Sequence, residues 1–100
     1  MIEQVIYTPE ARTDVLDAYG WYQSREPGLG TDFLRCLEAC VSLIQRHPLL
    51  SKVAVHPFRR ALIRRFPYEI FYRPGSNQLI IVAVFHCAQD PGKWKRRLEP

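Results

Sequence analysis

Residues 8–48 read TPEARTDVLDAYGWYQSREPGLGTDFLRCLEACVSLIQRHP, and this stretch predicts two amphipathic helices in succession. Its first residues, Thr8-Pro9-Glu10, have the composition of a helix start. Threonine caps free amides, proline suits the first helical position, and an acid favours the positive end of the helix dipole. Apolar residues then recur with helical spacing on one face, at Ala11, Val15, Ala18, Tyr19 and Tyr22.

The Pro-Gly-Leu-Gly segment at 27–30 breaks this helix, and a second one is predicted to start near Thr31 or just before it. It should end at His47, because Pro48 restricts the residue before it and cannot continue the helix. The apolar stripe of the second helix consists of Phe33, Leu37, Cys40, Val41 and Ile44. Two such helices joined by a short loop predict an antiparallel helical hairpin.

The remaining chain predicts β-strands. Residues 2–7 and 68–73 are rich in β-prone side chains, and 79–86 is apolar on both faces, which is typical of a central strand. Residues 74–77 predict a hairpin turn, 51–55 a short strand or an extended lead-in, and the tail from Asp90 a short helix or an extended segment. The order β-α-α-β-β-β predicts an α+β fold, with the helical hairpin packed on one face of a small antiparallel sheet.

Length and composition exclude several classes of protein. One hundred residues suit a single domain, 1–100, and 47% hydrophobic with 24% charged residues is ordinary for a globular chain. No apolar run reaches the roughly 18 residues of a membrane helix, and Met1-Ile2-Glu3-Gln4 does not resemble a secretory signal. The three cysteines, Cys36, Cys40 and Cys87, predict reduced thiols in the cytoplasm. Cys36 and Cys40 lie one helical turn apart, but without a second ligand pair we expect core packing and no metal.

Charge is divided unequally along the chain. Residues 1–50 carry four arginines against seven acids, whereas residues 51–100 carry ten lysines and arginines against three acids, formal charges of −3 and +7. This asymmetry predicts that the second half is a basic surface that meets an acidic protein segment or a nucleic acid. A solvated basic face without a dedicated partner is the alternative.

Short motifs along nearly the whole chain give it a family resemblance. They are Ala11…Asp14, Trp21-Tyr22, Pro27-Gly28-Leu29-Gly30 with Phe33, His47-Pro48, Arg59, Arg65-Phe66-Pro67-Tyr68-x-Ile70-x-Tyr72-Arg73, Val82-Ala83-Val84-x-His86 and Asp90-Pro91-x-x-Trp94-x-x-Arg97. In this order and spacing, the chain resembles the RelE/ParE superfamily of bacterial toxins from type II toxin–antitoxin systems. The fold that the resemblance implies agrees with the one predicted from periodicity.

The superfamily contains two kinds of toxin, so the resemblance leaves a choice. RelE-like members are ribosome-dependent mRNA endonucleases, whereas ParE-like members inhibit DNA gyrase by protein contact. Where RelE-like nucleases carry two cationic residues and a C-terminal catalytic tyrosine, this chain carries Glu69, uncharged residues near Ala88, and Trp94. An acid at a phosphate-clamping position repels the substrate, and tryptophan exchanges no proton. The resemblance therefore implies a ParE-like inhibitor with no catalytic residues, metal or cofactor, and with a cognate antitoxin, ParD-like or similar.

The expected antitoxin- and target-binding residues are basic and aromatic side chains of the second half, which include the types that anchor interfaces. They are Arg59, Arg60, Arg64, Arg65, Tyr72, Arg73, Trp94, Lys95 and Arg97. Trp94 is interpreted as an interface anchor or as a lid packed on the sheet, and the two roles are compatible. Tyr68 and Tyr72 have the alternative of being half-buried sheet residues.

Other functions stay open. An mRNA endonuclease would use Arg64 or Arg65 with His86 as general base, and Arg60, Arg64, Tyr72 and His86 could share one sheet face. His86 has a structural alternative, because a lone histidine at the end of an apolar strand is usually bonded to backbone. Asp14 and Asp17 share a helix face that we expect to be solvated. A nucleic-acid-binding regulator that acts with its antitoxin, and a member without toxicity, are further alternatives.

Overall fold

A mixed five-stranded sheet is the centre of the structure, a computed structural model that describes residues 2–99. Met1 and Pro100, the ends of the predicted domain, lie outside these residues. The strands are β1 (Gln4–Tyr7), β2 (Lys52–Val55), β3 (Phe58–Leu62), β4 (Tyr68–Pro74) and β5 (Gln78–His86), in the spatial order β1-β5-β4-β3-β2. The β2-β3-β4-β5 meander is antiparallel, and β1 pairs with β5 in parallel. The α+β prediction is confirmed. Four strands follow the helices where the predicted order has three, and residues 52–55, for which the sequence left a strand or an extended lead-in open, form the strand β2.

Two helices precede the meander, as the apolar spacing predicts. They are α1 (Pro9–Arg25) and α2 (Leu29–Arg46). The Thr8 hydroxyl accepts a hydrogen bond of 3.2 Å from the Ala11 amide, which satisfies one of the free donors at the start of α1. Gly28 adopts a φ of 91°, a left-handed conformation that glycine allows without steric cost, and so lets the chain reverse direction between the helices.

Apolar side chains fill both faces of the sheet. Between the helical hairpin and the sheet lies the larger core, which includes Phe33, Ile70, Tyr72 and Val84. Because side chains alternate along a strand, Phe71, Ala83 and Phe85 point to the opposite face, where they pack with Leu98. Leu98 belongs to α3 (Pro91–Leu98), so the tail is helical and covers the face that the hairpin leaves free.

The position of β5 follows from its sequence. It lies between β1 and β4, and Leu79, Ile81 and Ala83 are fully buried, which confirms the central strand. Asp90 caps α3 by accepting from the Gly92 amide at 2.9 Å. No helix among residues 2–99 combines the length and the hydropathy needed to cross a lipid bilayer.

Candidate interaction surface

The predicted basic binding residues do not share one surface. Arg59 lies opposite Tyr72 in the β3–β4 ladder, and Arg60 lies opposite Phe71. Paired residues of antiparallel strands point to the same face and successive residues to opposite faces. Arg59 and Tyr72 therefore lie on the hairpin face, and Arg60 lies on the α3 face. The sequence allowed Arg60, Arg64, Tyr72 and His86 to share one sheet face. Arg60 lies on the face opposite Tyr72, and Arg64 lies in the loop between β3 and β4.

Arg59 stabilises the loop between α2 and β2. Its Nη1 donates to the carbonyl oxygens of Leu49 at 3.1 Å and of Ser51 at 2.7 Å. Tyr72, which pairs with it, is fully buried, and its hydroxyl donates to the Pro48 carbonyl oxygen at 2.8 Å. Burial raises the pKa of the Tyr72 phenol. The prediction of Tyr72 as a binding residue is corrected, because the ring has no exposed surface and the hydroxyl fixes this loop.

Arg60 belongs to a cluster on the α3 face. Its Nη2 donates to Glu69 Oε1 at 2.8 Å, and its Nε lies 2.7 Å from Glu69 Oε2 in an ion pair without hydrogen-bond alignment. The guanidinium also lies 5.1 Å from the Trp94 ring centroid, and Trp94 stacks on Phe71 with ring centroids 4.9 Å apart. Trp94 is thus half-buried and packs on the sheet, the lid arrangement that the sequence left open.

Glu69 therefore neutralises the cation nearest to it. Its side chain is 16% exposed, so the ion pair with Arg60 is largely shielded from water. Burial, and next to it the field of Glu69, raises the pKa of the neighbouring Cys87 thiol. A thiol with a raised pKa is a poor nucleophile at neutral pH. Arg60 and Glu69 thus form a shielded ion pair, and the thiol beside them is not activated as a nucleophile.

Arg97 is held by the first helix. Its guanidinium bonds to both carboxylate oxygens of Asp14, and it lies 4.4 Å from the Phe85 ring centroid. Asp14 Oδ2 also accepts a hydrogen bond of 3.0 Å from the Val84 amide. The prediction that Asp14 faces solvent is wrong, because its carboxylate joins α1 to both β5 and α3. Asp17, one turn further along, is exposed as expected.

The loop between β3 and β4 carries Arg64 and Arg65, both exposed. Arg65 has a φ of 72° and places its Nη2 3.8 Å from Asp32 Oδ2, on α2. An ion pair of this length with 61% of the arginine side chain exposed contributes little to stability. Arg64 makes no ion pair with any other described residue.

His86 ends β5 and is engaged by the following turn. Its Nδ1 accepts a hydrogen bond of 2.9 Å from the Ala88 amide, and its ring meets Tyr68 edge to face at 5.1 Å. This hydrogen bond from the backbone to Nδ1 agrees with a structural role for His86 rather than a role as general base. His86 lines two cavities, of about 360 Å³ and 210 Å³, and neither is lined by Arg64 or Arg65. The three residues of the nuclease alternative are not brought together.

The cations that remain exposed and unpaired among residues 2–99 are therefore fewer than the sequence suggests. In the second half they lie at the end of β4 and on α3, and comprise Arg73, Lys93, Lys95 and Arg96, besides Lys52 on β2 and Arg64 in its loop; Arg12, Arg25 and Arg46 of the helical hairpin are exposed without an ion pair as well. The expectation of one basic surface built from the whole second half is corrected, because Arg59, Arg60 and Arg97 hydrogen-bond within the chain.

None of the three cysteines belongs to a cluster of potential metal ligands in the described part of the chain. Cys36 and Cys40 are half-buried against the main core, and no group of three or more potential metal ligands occurs within residues 2–99. Cys40 Sγ donates weakly to the Leu62 carbonyl oxygen at 3.7 Å. Burial raises the pKa of this thiol, which keeps it protonated.

Comparison with known families explains why the motifs and the fold agree. A family profile described as "ParE toxin of type II toxin-antitoxin system, parDE" matches residues 5–91. The chain belongs to the ParE toxin family. The profile covers α1, α2, β2 to β5 and all but the first residue of β1, and ends at the first residue of α3. The ParE family members are type II toxins, so the predicted superfamily and its ParE-like branch are confirmed.

A solved structure supports the same fold. The chain superimposes with a TM-score of 0.73 on a structure titled "Chromosomal ParDE TA system from P. aeruginosa". The match covers 85% of this chain and 96% of the other, at 16% sequence identity, so it concerns the fold alone. No curated protein sequence matches the chain significantly.

Two features of this ParE family member were missed from the sequence. The Asp14–Arg97 pair joins residues 83 positions apart, and no local pattern signals such a contact. The second is a set of exposed leucines at the end of α2 and on β3, including Leu43 and Leu62. Leu43 lies next to the apolar stripe of α2 but not on it, and this position could have identified it as an exposed leucine.

Proposed function

We propose that the chain is a growth-inhibiting toxin that acts on DNA gyrase by protein–protein contact and is held inactive by a cognate, ParD-like antitoxin. Both partners would place its action in the cytoplasm. The family assignment supports a type II toxin, and the partners are the part that we propose. No metal or cofactor is required, since contact alone would block the enzyme.

The proposal rests on the contacts that Glu69, Arg60 and Trp94 make with one another and with Phe71. Phosphodiester cleavage requires cations that are free to hold a phosphate and a group that can exchange a proton. Here Arg60 is neutralised by Glu69 at 2.8 Å, and the position of the RelE-like tyrosine holds an indole stacked on Phe71. This arrangement favours inhibition by protein contact over cleavage of a phosphodiester bond.

The proposed gyrase-binding surface is the outer side of α3 with the end of β4. Lys93, Lys95, Arg96 and Arg73 are exposed there, and half-buried Trp94 provides an aromatic edge. Cations of this kind steer association with an acidic protein surface, and a tryptophan anchor supplies affinity. Arg97 and Arg60 act indirectly, because they hold α3 and Trp94 in place.

A supercoiling assay with purified gyrase and relaxed plasmid tests this surface. Wild-type protein is expected to inhibit supercoiling, and added antitoxin to restore it. The double variant Lys95→Glu/Arg96→Glu should require a concentration about tenfold higher, because opposed charges slow association. Arg12→Glu/Arg25→Glu, a double reversal of two exposed arginines on α1, is the matched control and should change the required concentration less than about twofold. Equal effects of the two reversals would exclude α3 as the contact.

A further inference from the structure

A cavity of about 360 Å³ lies between α1 and the edge of the sheet where β4 begins and β5 ends. Buried Ala18 and Val84 line its apolar part. Two larger aromatic side chains, Trp21 of α1 and Tyr68 of β4, line it as well, together with His86. A volume of this size lies at the lower end of the range for small-molecule sites, which combine apolar walls with a few polar groups.

The aromatic rings of the cavity are held in place by their neighbours. Tyr68 meets Phe33 and His86 edge to face, with ring centroids 5.1 Å apart in both contacts. Trp21 meets Tyr22 in the same way at 5.1 Å, while 51% of Trp21 stays exposed. Rings that are already fixed lose little further side-chain freedom when a ligand packs on them.

The charge of the cavity is negative, although the whole chain carries a formal net charge of +4. Asp14 and Asp17 line it, and no lysine or arginine within residues 2–99 does. Asp14 is neutralised by Arg97, whereas Asp17 makes no ion pair with any other described residue. Burial, and after it Tyr22 and Asp17, raise the pKa of the Tyr68 phenol, which places the Asp17 carboxylate near this ring. The cavity therefore attracts a cation and repels an anion.

The neighbouring Asp14 shows how such a site holds a guanidinium group. The Arg97 guanidinium bonds to both oxygens of Asp14 and lies 4.4 Å from the Phe85 ring centroid. A carboxylate and an aromatic face together hold this cation. Asp17, one helical turn later, and the two rings of the cavity repeat the same combination.

Trp21 already carries a guanidinium on one of its faces. The Cζ atom of Arg25, one helical turn further along α1, lies 4.4 Å from the Trp21 ring centroid. Arg25 does not line the cavity and makes no ion pair with Asp17. The indole is thus placed to receive a planar cation, while the carboxylate near it stays unmatched.

We propose that this cavity binds an alkylguanidinium group, the head group of arginine. The planar cation would stack on Trp21 beside Tyr68 and donate hydrogen bonds to the Asp17 carboxylate. An ammonium group fits less well, because it lacks the planar shape and the fork of donors that match a ring and a carboxylate. An arginine side chain of a polypeptide and a free alkylguanidine carry the same group, and they differ in the peptide groups around it.

Titration of the isotope-labelled full chain, followed by nuclear magnetic resonance, tests the site. The probe is N-acetylarginine methylamide, and its control is the citrulline analogue, which has the same shape but no charge. The arginine compound is expected to bind at least about tenfold more tightly than the citrulline analogue, and about threefold more tightly than the lysine analogue. The chain has two tryptophans, so the indole signal of Trp21 should shift while that of Trp94, on the α3 face, should not.

Butylguanidinium, which has no peptide groups, separates the two sources of the ligand. An affinity equal to that of the arginine compound would show that the head group alone supplies the binding, as a free alkylguanidine requires. An affinity at least about threefold weaker would assign the cavity to an arginine in a polypeptide, because the peptide groups then contribute contacts.

Two neutral substitutions of similar shape localise the binding. Asp17→Asn should weaken it about tenfold, whereas Glu38→Gln should change it less than about twofold. Glu38 is the matched control, since it is an exposed acid on α2 that does not line the cavity. Trp21→Leu should weaken binding about fivefold through loss of the ring. Asp17 is exposed, so its variant remains informative if Trp21→Leu loosens α1.

The site is refuted if the arginine compound does not bind, or if the citrulline or the lysine analogue binds equally well. Equal effects of Asp17→Asn and Glu38→Gln, or shifts centred on Trp94, would contradict it too. These outcomes are independent of gyrase and of the antitoxin. A chain that binds the arginine compound but does not inhibit supercoiling would keep this site and exclude only the proposed function.

Discussion

The contact between Asp14 and Arg97 makes a quantitative prediction. Asp14→Ala removes the acceptor of the Val84 amide, and an unsatisfied part-buried amide costs about 1–3 kcal/mol. It also leaves Arg97 without its partner. Breaking a buried ion pair costs about 3–5 kcal/mol, but 27% of the Arg97 side chain is exposed, and water recovers much of this. We expect the free energy of unfolding to fall by about 2–4 kcal/mol in total.

Urea denaturation followed by circular dichroism measures this loss. Asp17→Ala is the matched control, because Asp17 is an exposed aspartate one turn along the same helix, and its loss should cost less than about 0.5 kcal/mol. Asp14→Asn is informative as well, since it retains an acceptor for Val84 but loses the charge. Equal stabilities of the Asp14→Ala and Asp17→Ala proteins would contradict the conclusion that Asp14 joins three elements of the fold.

Four further substitutions follow from the contacts. Gly20→Ala should stabilise the protein by about 0.5–1 kcal/mol, because α1 has open space around this residue. Gly30→Ala should destabilise it by more than about 1 kcal/mol, because a Cβ would lie 2.7 Å from the Tyr19 carbonyl oxygen. Thermal melting should therefore show a higher melting temperature for the first variant and a lower one for the second, and the opposite order would contradict this packing. Tyr72→Phe should cost about 1 kcal/mol in urea denaturation, and no loss would mean that its hydroxyl does not hold the α2–β2 loop. Trp94→Ala should weaken gyrase binding by about 2 kcal/mol in calorimetry, and unchanged affinity of a folded variant would limit this residue to packing.

Local signals predicted most of the secondary structure. Thr8 and Pro9 marked the start of α1, and Pro48 marked the end of α2, because capping and proline geometry act within a few residues. The all-apolar run of β5 indicated its central position for a similar reason, since both of its faces are covered. The parallel pairing of β1 with β5 was not predicted, because the residues it joins are more than 70 positions apart.

The candidate surface was less predictable than the fold. Formal charge located the basic residues along the chain but not their partners, and ion pairs such as Arg60–Glu69 form only when strands are adjacent. Tyr72 was assigned to a binding surface by its residue type, whereas strand alternation places it in the main core. Glu69 was the exception, since the resemblance singled out its position and the structure supplies a physical role for its carboxylate.

The central claim is that the protein acts by contact and not by cleavage. The most direct measurement applies the wild-type chain, at one concentration, to gyrase with relaxed plasmid and to ribosomes translating a defined mRNA. We predict that supercoiling stops while the mRNA stays intact. Cleaved mRNA with unimpaired supercoiling, and loss of that cleavage in His86→Ala, would contradict the account and support the endonuclease.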